Sequence, residues 1–319
     1  MEDSILETRN YKLSNIKRNL KNVVFLNKKD ASFVLMDDDE FYSSLSPFDR
    51  ASRYIGSEDA KTYYGQQTLD WEEWMVDQIE DIFEAIDNKM EGYHINFPDE
   101  VQLILTTGKE EGLAAYCRKT AVILTEEKVN WPYRDLEYLI NHELFHIYSH
   151  HNPDKRWQLY EFLGFHRCPR ISYYPEEIKH YISNPDTIRR DCYIELNGIK
   201  YMPIVYSPKE FGSPLEDGDR ANWRAPPKEL LTFFDYITFG LIEIKVEDNK
   251  TIPILKNKKL TIHDEKSLPE FLEKVGRNTD YFVHPEETLA DNFCLMIKHE
   301  DHRVEDVKIL VKMREIMSE

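Results

Sequence analysis

Residues 135–151 read DLEYLINHELFHIYSHH, and at their centre stand His142-Glu143-Leu144-Phe145-His146. In a helix, residues four apart project from one face a single turn apart, so two histidines at that spacing offer two imidazoles to one zinc ion. Glu143, adjoining the first of them, is then placed to take a proton from a water held by that metal. The plain alternative is that HExxH arises by chance in a helix rich in His and Glu. The neighbours weigh against chance. Leu136, Leu139, Ile140, Leu144, Phe145 and Ile147 mark the segment as a buried helix. Burying two histidines and a glutamate in such a helix costs desolvation energy unless they have partners. Zinc (Zn2+) is therefore the expected cofactor.

Two histidines do not complete such a centre, because a catalytic zinc needs a third protein ligand and an open position for water. The HExxHxxGxxH continuation fails twice: Ser149 holds the glycine place and Asn152 the place of the third histidine. His150 shares the face of His142, but a straight helix carries it about a turn beyond a metal held by the first pair. With His151 it reads as a solvated helix end. A glutamate from a separate helix is the alternative, and the best run for it is His284-Pro285-Glu286-Glu287-Thr288-Leu289-Ala290-Asp291-Asn292-Phe293. Glu287 and Asp291 lie four apart on one face. Glu287 is thus the candidate ligand, and Asp291 the candidate acceptor for a hydrogen bond from a ligating histidine, which fixes its tautomer and orientation. Acids in a first helical turn are also ordinary partners of the helix dipole. This helix, however, is otherwise apolar at Leu289, Phe293, Leu295, Met296 and Ile297. Glu286 is the competing ligand, and Glu287 is preferred because only it has an aspartate one turn on.

HELFH followed downstream by a helix carrying EETLAD resembles the gluzincin branch of the zincin metallopeptidases. The likeness covers two helices together with the strand before the first. It implies His142, His146 and Glu287 as zinc ligands, Glu143 as general base, Asp291 as the support behind a histidine, and a peptide or protein substrate. It also implies an α+β fold with a zincin-like core, in which the strand before the zinc helix forms the edge along which a substrate backbone lies. Residues 120–124 are similarly placed. The departure is the spacing: about 140 residues separate His146 from Glu287, more than in many gluzincins.

The chain of 319 residues is long enough for two or more lobes, and 41% apolar with 13% aromatic residues is a globular composition. A net charge of −18 argues against a nucleic-acid binder or a protein of anionic membranes. The opening MEDSILETRNYK has no apolar run of signal-peptide length, and no later stretch approaches a membrane span. A cytoplasmic protein is expected; export by a route without a cleaved signal is compatible with the same observation. Cys117, Cys168, Cys192 and Cys294 are scattered with no CxxC pair, so they read as free thiols rather than a disulfide frame or a cysteine zinc site.

Four regions are expected along the chain. Residues 1–100 form a mixed α/β start, with a small strand pair from Val23-Val24-Phe25-Leu26 and Phe33-Val34-Leu35-Met36 and one amphipathic helix over 68–88. Residues 101–167 carry a strand at 101–105, a second over 114–124 and the HExxH helix. Residues 168–265 read as a β-rich insertion with a hairpin turn at Asn197-Gly198, a candidate gate over the site. Residues 266–319 return to helices, including the one with Glu287.

These residues point first to a zinc-dependent hydrolase, most directly a peptidase. A zinc hydrolase of non-peptide amides or esters uses the same chemistry, and a binding or scaffold protein with a non-catalytic metal lies in another class. A glutamate kept beside the ligands favours catalysis, since a structural site fills all four positions and needs no base. For the developing oxyanion, Tyr148, Tyr193, Tyr281 and His284 are candidates by type only. Ser183 and Asn184-Pro185-Asp186 suit a capped turn near the site.

Overall fold

The computed structural model describes residues 8–12, 19–37, 40–56, 58–187, 190–215 and 231–318. The opening heptad and residues 216–230 of the expected insertion lie outside them. The chain is of mixed α and β structure and divides into two compact units. One comprises 1–38, 58–159 and 289–319; the other comprises 39–57 and 160–288.

The first unit is built on a mixed sheet. Its strands are β1 (Arg9–Lys12), β2 (Asn22–Phe25), β3 (Thr68–Leu69), β4 (Val101–Thr106), β5 (Tyr116–Arg118) and β6 (Ala121–Thr125), in the order β1-β2-β4-β6-β5 with β3 on β4. β2, β4 and β6 run parallel, while β1, β3 and β5 are antiparallel to their neighbours. The central strands are nearly continuous apolar runs, and Leu103, Ile104, Val122, Ile123 and Leu124 are wholly buried, as strands covered on both faces should be. The strands expected in residues 1–100 and in 101–167 therefore share one sheet.

Several local readings change. Phe33-Val34-Leu35-Met36 closes the helix Lys28–Met36, because the Asn27 side chain accepts from the Asp30 amide at 2.9 Å and starts a helix that outweighs the strand-like apolar run. The helix read over 68–88 begins at Glu73. Before it, Thr68 and Leu69 pair with Thr106 and Leu105, and the Lys28 amide donates to Asp70 at 2.8 Å, which holds this stretch extended. Trp71 packs edge-on against Phe25, whereas Trp74, in the first turn of the helix, is 43% exposed. The single strand read over 114–124 is a hairpin of β5 and β6. Among the described residues β5 is the sheet edge and the segment 120–124 lies inside, so the edge strand before the HExxH helix is Tyr116–Arg118.

The second unit carries a sheet of β7 (Phe165–Arg167), β8 (Cys192–Leu196), β9 (Ile199–Tyr206), β10 (Thr238–Glu247), β11 (Lys250–Pro253) and β14 (Ile262–His263), in the order β11-β10-β9-β8-β7 with β14 on β10. The short pair β12 (Leu255–Lys256) and β13 (Lys259–Leu260) stands apart from it. This region is β-rich as read, but its sheet starts at Phe165 rather than after residue 167. Asn197 and Gly198, at φ 50° and 78°, form the two-residue turn between β8 and β9 that their types demand. Ile178, Met202, Ile204, Ile242, Ile244 and Leu260 form its core. A second cluster around Phe48, Ile182, Phe233 and Tyr236 lies beside a fully buried ion pair of Arg53 with Asp49.

No described helix is long and apolar enough to cross a membrane. All four cysteines are free, and three of them are buried.

Candidate metal centre

The HExxH helix runs from Tyr133 to His151, with Pro132 at its N-cap. Leu136, Ile140, Leu144 and Ile147 are wholly buried, and the helix packs on β5, β6 and the helix Glu73–Lys89. It ends at Asn152, whose amide donates to the Tyr148 carbonyl at 2.9 Å and whose side-chain amide donates to the same carbonyl at 2.8 Å. The residue in the third-histidine place is thus the helix cap, a better use of an asparagine there than of a histidine.

The second helix of the site runs unbroken from Pro285 to Ile297. The division between the two units falls within it, after Thr288, and its first turn is continuous with the remainder. Its Phe293 ring lies 5.8 Å from that of Phe145. This contact fixes the two helices against each other beside the histidines.

On the facing surfaces the polar groups converge. The His142 and His146 rings lie 4.9 Å apart, and one ligand atom from each of His142, His146 and Glu287 falls within 4.8 Å of the others. Asp291 Oδ1 lies 3.1 Å from His142 Nδ1. A carboxylate only accepts, so this contact is a hydrogen bond when Nδ1 carries the proton, the tautomer that leaves Nε2 its lone pair. The same Oδ1 accepts from the Tyr138 hydroxyl at 3.0 Å. Burial, then the neighbouring Cys294 and Asp291, push the Tyr138 phenol far above its ordinary range, so it remains a donor. Glu287 is 2% exposed, and its Oε1 accepts from the Asn184 side-chain amide at 2.7 Å. Two imidazoles and one carboxylate form a donor set suited to Zn2+ with a fourth position to spare.

Glu143 stands outside the three grouped ligand atoms. It is 3% exposed, and the Cys117 thiol, on the edge strand β5, lies 3.2 Å from its Oε2. The competing glutamate has another partner: Glu286 is fully buried and accepts a hydrogen bond from the Tyr160 hydroxyl.

The oxyanion candidates differ in their surroundings. Tyr148 follows His146 by two residues, which turns it to the opposite side of the helix, where it packs on Phe97 and Phe145. His284 accepts the Glu286 amide at Nδ1 and sets Nε2 3.4 Å from the Cys192 sulfur. Tyr193 lies against His166, and the Tyr281 carbonyl accepts from Thr288. Asn184 does form a turn, accepting the Asp186 amide at 2.9 Å, and Ser183 donates its hydroxyl to the Ser44 carbonyl. Tyr138 and Cys117 escaped the sequence reading as residues of the site, and Asn184 reads there as part of a capped turn without its bond to Glu287. Only Tyr138, one turn before His142 on the same face, carried a readable signal.

No model of a known protein family, no curated protein and no solved structure matches this chain.

Proposed function

We propose that the protein is a zinc-dependent metallohydrolase, a peptidase by class, with a gluzincin-like centre on an α+β zincin-like core. The observation that supports it most strongly is a buried carboxylate, Glu143, next to a three-ligand group that does not include it. His142, His146 and Glu287 are the residues that would hold the ion, with Asp291 and Asn184 behind two of them. Zinc bound there supplies a Lewis acid that brings water within the reach of a carboxylate base and polarises a carbonyl. Glu143 then takes the proton of the attacking water and returns it to the leaving amine. Glu143 is buried with the Cys117 thiol 3.2 Å from its Oε2, a contact that limits the positions its carboxylate can take. Peptides or proteins are the proposed substrates, and the cytoplasm is the proposed compartment.

The deciding experiment measures zinc per chain and hydrolysis of a mixed peptide library for the parent and for Glu143→Gln. One zinc in both proteins, with cleavage by the parent alone, is the expected result. Cleavage that survives in Glu143→Gln overturns the assigned base. A parent that is folded yet takes up no supplied zinc overturns the metal centre itself.

A further inference from the structure

Asp291 Oδ1 has two donors, His142 Nδ1 at 3.1 Å and the Tyr138 hydroxyl at 3.0 Å. Both donors come from the HExxH helix, at positions four apart, so they reach the carboxylate from adjacent turns of one face. The Asp291 side chain is 16% exposed and that of His142 12%. Each hydrogen bond to Oδ1 restricts the freedom of the carboxylate to rotate about its own Cβ–Cγ bond and to turn the other oxygen, or water, toward the imidazole. A second bond from a ring anchored elsewhere removes that freedom. Tyr138 is anchored: the Cys294 thiol donates to its backbone carbonyl at 3.4 Å, and the Lys298 ammonium sits 4.7 Å from its ring centroid. Both of those groups belong to the helix that carries Asp291 or adjoin its end. The tyrosine is therefore locked to the same helix whose aspartate it orients.

We propose that Tyr138 is a positioning residue of the metal centre: it holds Asp291, and through it the tautomer and ring plane of His142, in the arrangement that receives zinc. The inference rests on the zinc reading above and extends it to a residue that touches neither metal nor substrate. Groups directly behind a ligating histidine change metal affinity about 10–100-fold when removed. Tyr138 stands one bond further back, so Tyr138→Phe should weaken zinc binding by about tenfold, the low end of that range.

The test titrates zinc against a chromogenic chelator for the parent, Tyr138→Phe, Asp291→Asn and the double variant, and records thermal unfolding of each protein without metal. The expected outcome is a roughly tenfold weaker zinc affinity in Tyr138→Phe, metal-free unfolding close to the parent's, and no further loss when Tyr138→Phe is added to Asp291→Asn. Equal affinity in the parent and Tyr138→Phe overturns the proposal and leaves the zinc reading standing, as does a full additional loss in the double variant. A folded parent that binds no zinc fails the underlying reading instead. Should Tyr138→Phe not fold, histidine nitrogen NMR of the metal-free parent decides: a His142 ring protonated at Nδ1 supports the relay, and one protonated mainly at Nε2 overturns it.

Discussion

Glu110→Gln should stabilise the protein in mildly alkaline solution and do little in acid. Glu110 sits in the short turn Lys109–Glu111 that links β4 to β5, entered through Gly108 and left through Gly112, both left-handed. It is wholly buried, and the Tyr116 hydroxyl donates to its Oε1 at 3.3 Å. Burial raises its pKa from the ordinary 4.5 to about 7, with hydrogen bonds from Thr106 and Tyr116 opposing and the charge of Glu111 adding to the rise. The folded chain thus keeps a proton that the unfolded chain has released. Stability from this residue is intact below the unfolded value of 4.5, falls as pH rises through the window to about 7, and is flat above it. Each pH unit in that window is worth ~1.4 kcal/mol, so the whole effect is about 3 kcal/mol. Glutamine keeps the shape and donor of the protonated acid but cannot ionise. Urea unfolding of both proteins at several pH values should show the variant gaining about 2–3 kcal/mol on the parent between acid and mildly alkaline solution, as other titrating groups cancel between the two. A difference that stays constant with pH would refute the reasoning, because it would mean that Glu110 does not hold a proton in the folded state.

Three further outcomes are expected. Asn184→Ala removes the donor to Glu287 Oε1 and should weaken zinc binding about 10–100-fold in a chelator competition; unchanged affinity would show that Glu287 needs no such support. Arg53→Met leaves the Asp49 carboxylate buried without its ion pair, and denaturant titration should record a loss of ~3–5 kcal/mol. A loss below ~1 kcal/mol would mean that solvent reaches Asp49 once the guanidinium has gone. Gly198→Ala places a side chain at φ 78° with nothing within 4 Å of its Cβ. The conformational strain alone should therefore lower stability by about 1 kcal/mol, and an unaltered unfolding midpoint would show the turn to be relaxed.

The legible parts of the fold are those in which local chemistry and tertiary context agree. The helix Tyr133–His151 announces itself by its apolar period, and Asn197-Gly198 by the only residue types that suit a tight hairpin. The hairpin of β5 and β6 gave no such sign, because its turn is Lys119-Thr120, with a lysine at φ 56° where sequence rules look for glycine or asparagine. The helix Lys28–Met36 was obscured by a β-prone ending, although its capping asparagine was visible. In the candidate site the same line divides the residues. Spacing on one helix relates His142 to His146 and Glu287 to Asp291, and would also have related Tyr138 to His142. Asn184 and Cys117 meet Glu287 and Glu143 through long-range folding, and no local pattern marks an asparagine before a proline or a lone thiol on a short strand as a neighbour of either glutamate.

The wide separation of His146 from Glu287 also sets an order of events during synthesis. At ~5–20 residues per second, a ribosome presents both imidazoles for roughly 7–28 s before the carboxylate is made. Through that interval the growing chain offers only a pair of nitrogens, with the tautomer of His142 not yet governed by Asp291. Such a half-site favours whichever divalent transition ion binds imidazole most tightly, and copper outranks zinc in that contest. If the proposed centre takes zinc, a preference for it over copper would therefore be a property of the finished chain, exercised once the helix Pro285–Ile297 is in place and Glu287 restricts the geometry. Refolding in mixed metals should consequently capture a different ion from that taken up by protein folded before metal is added.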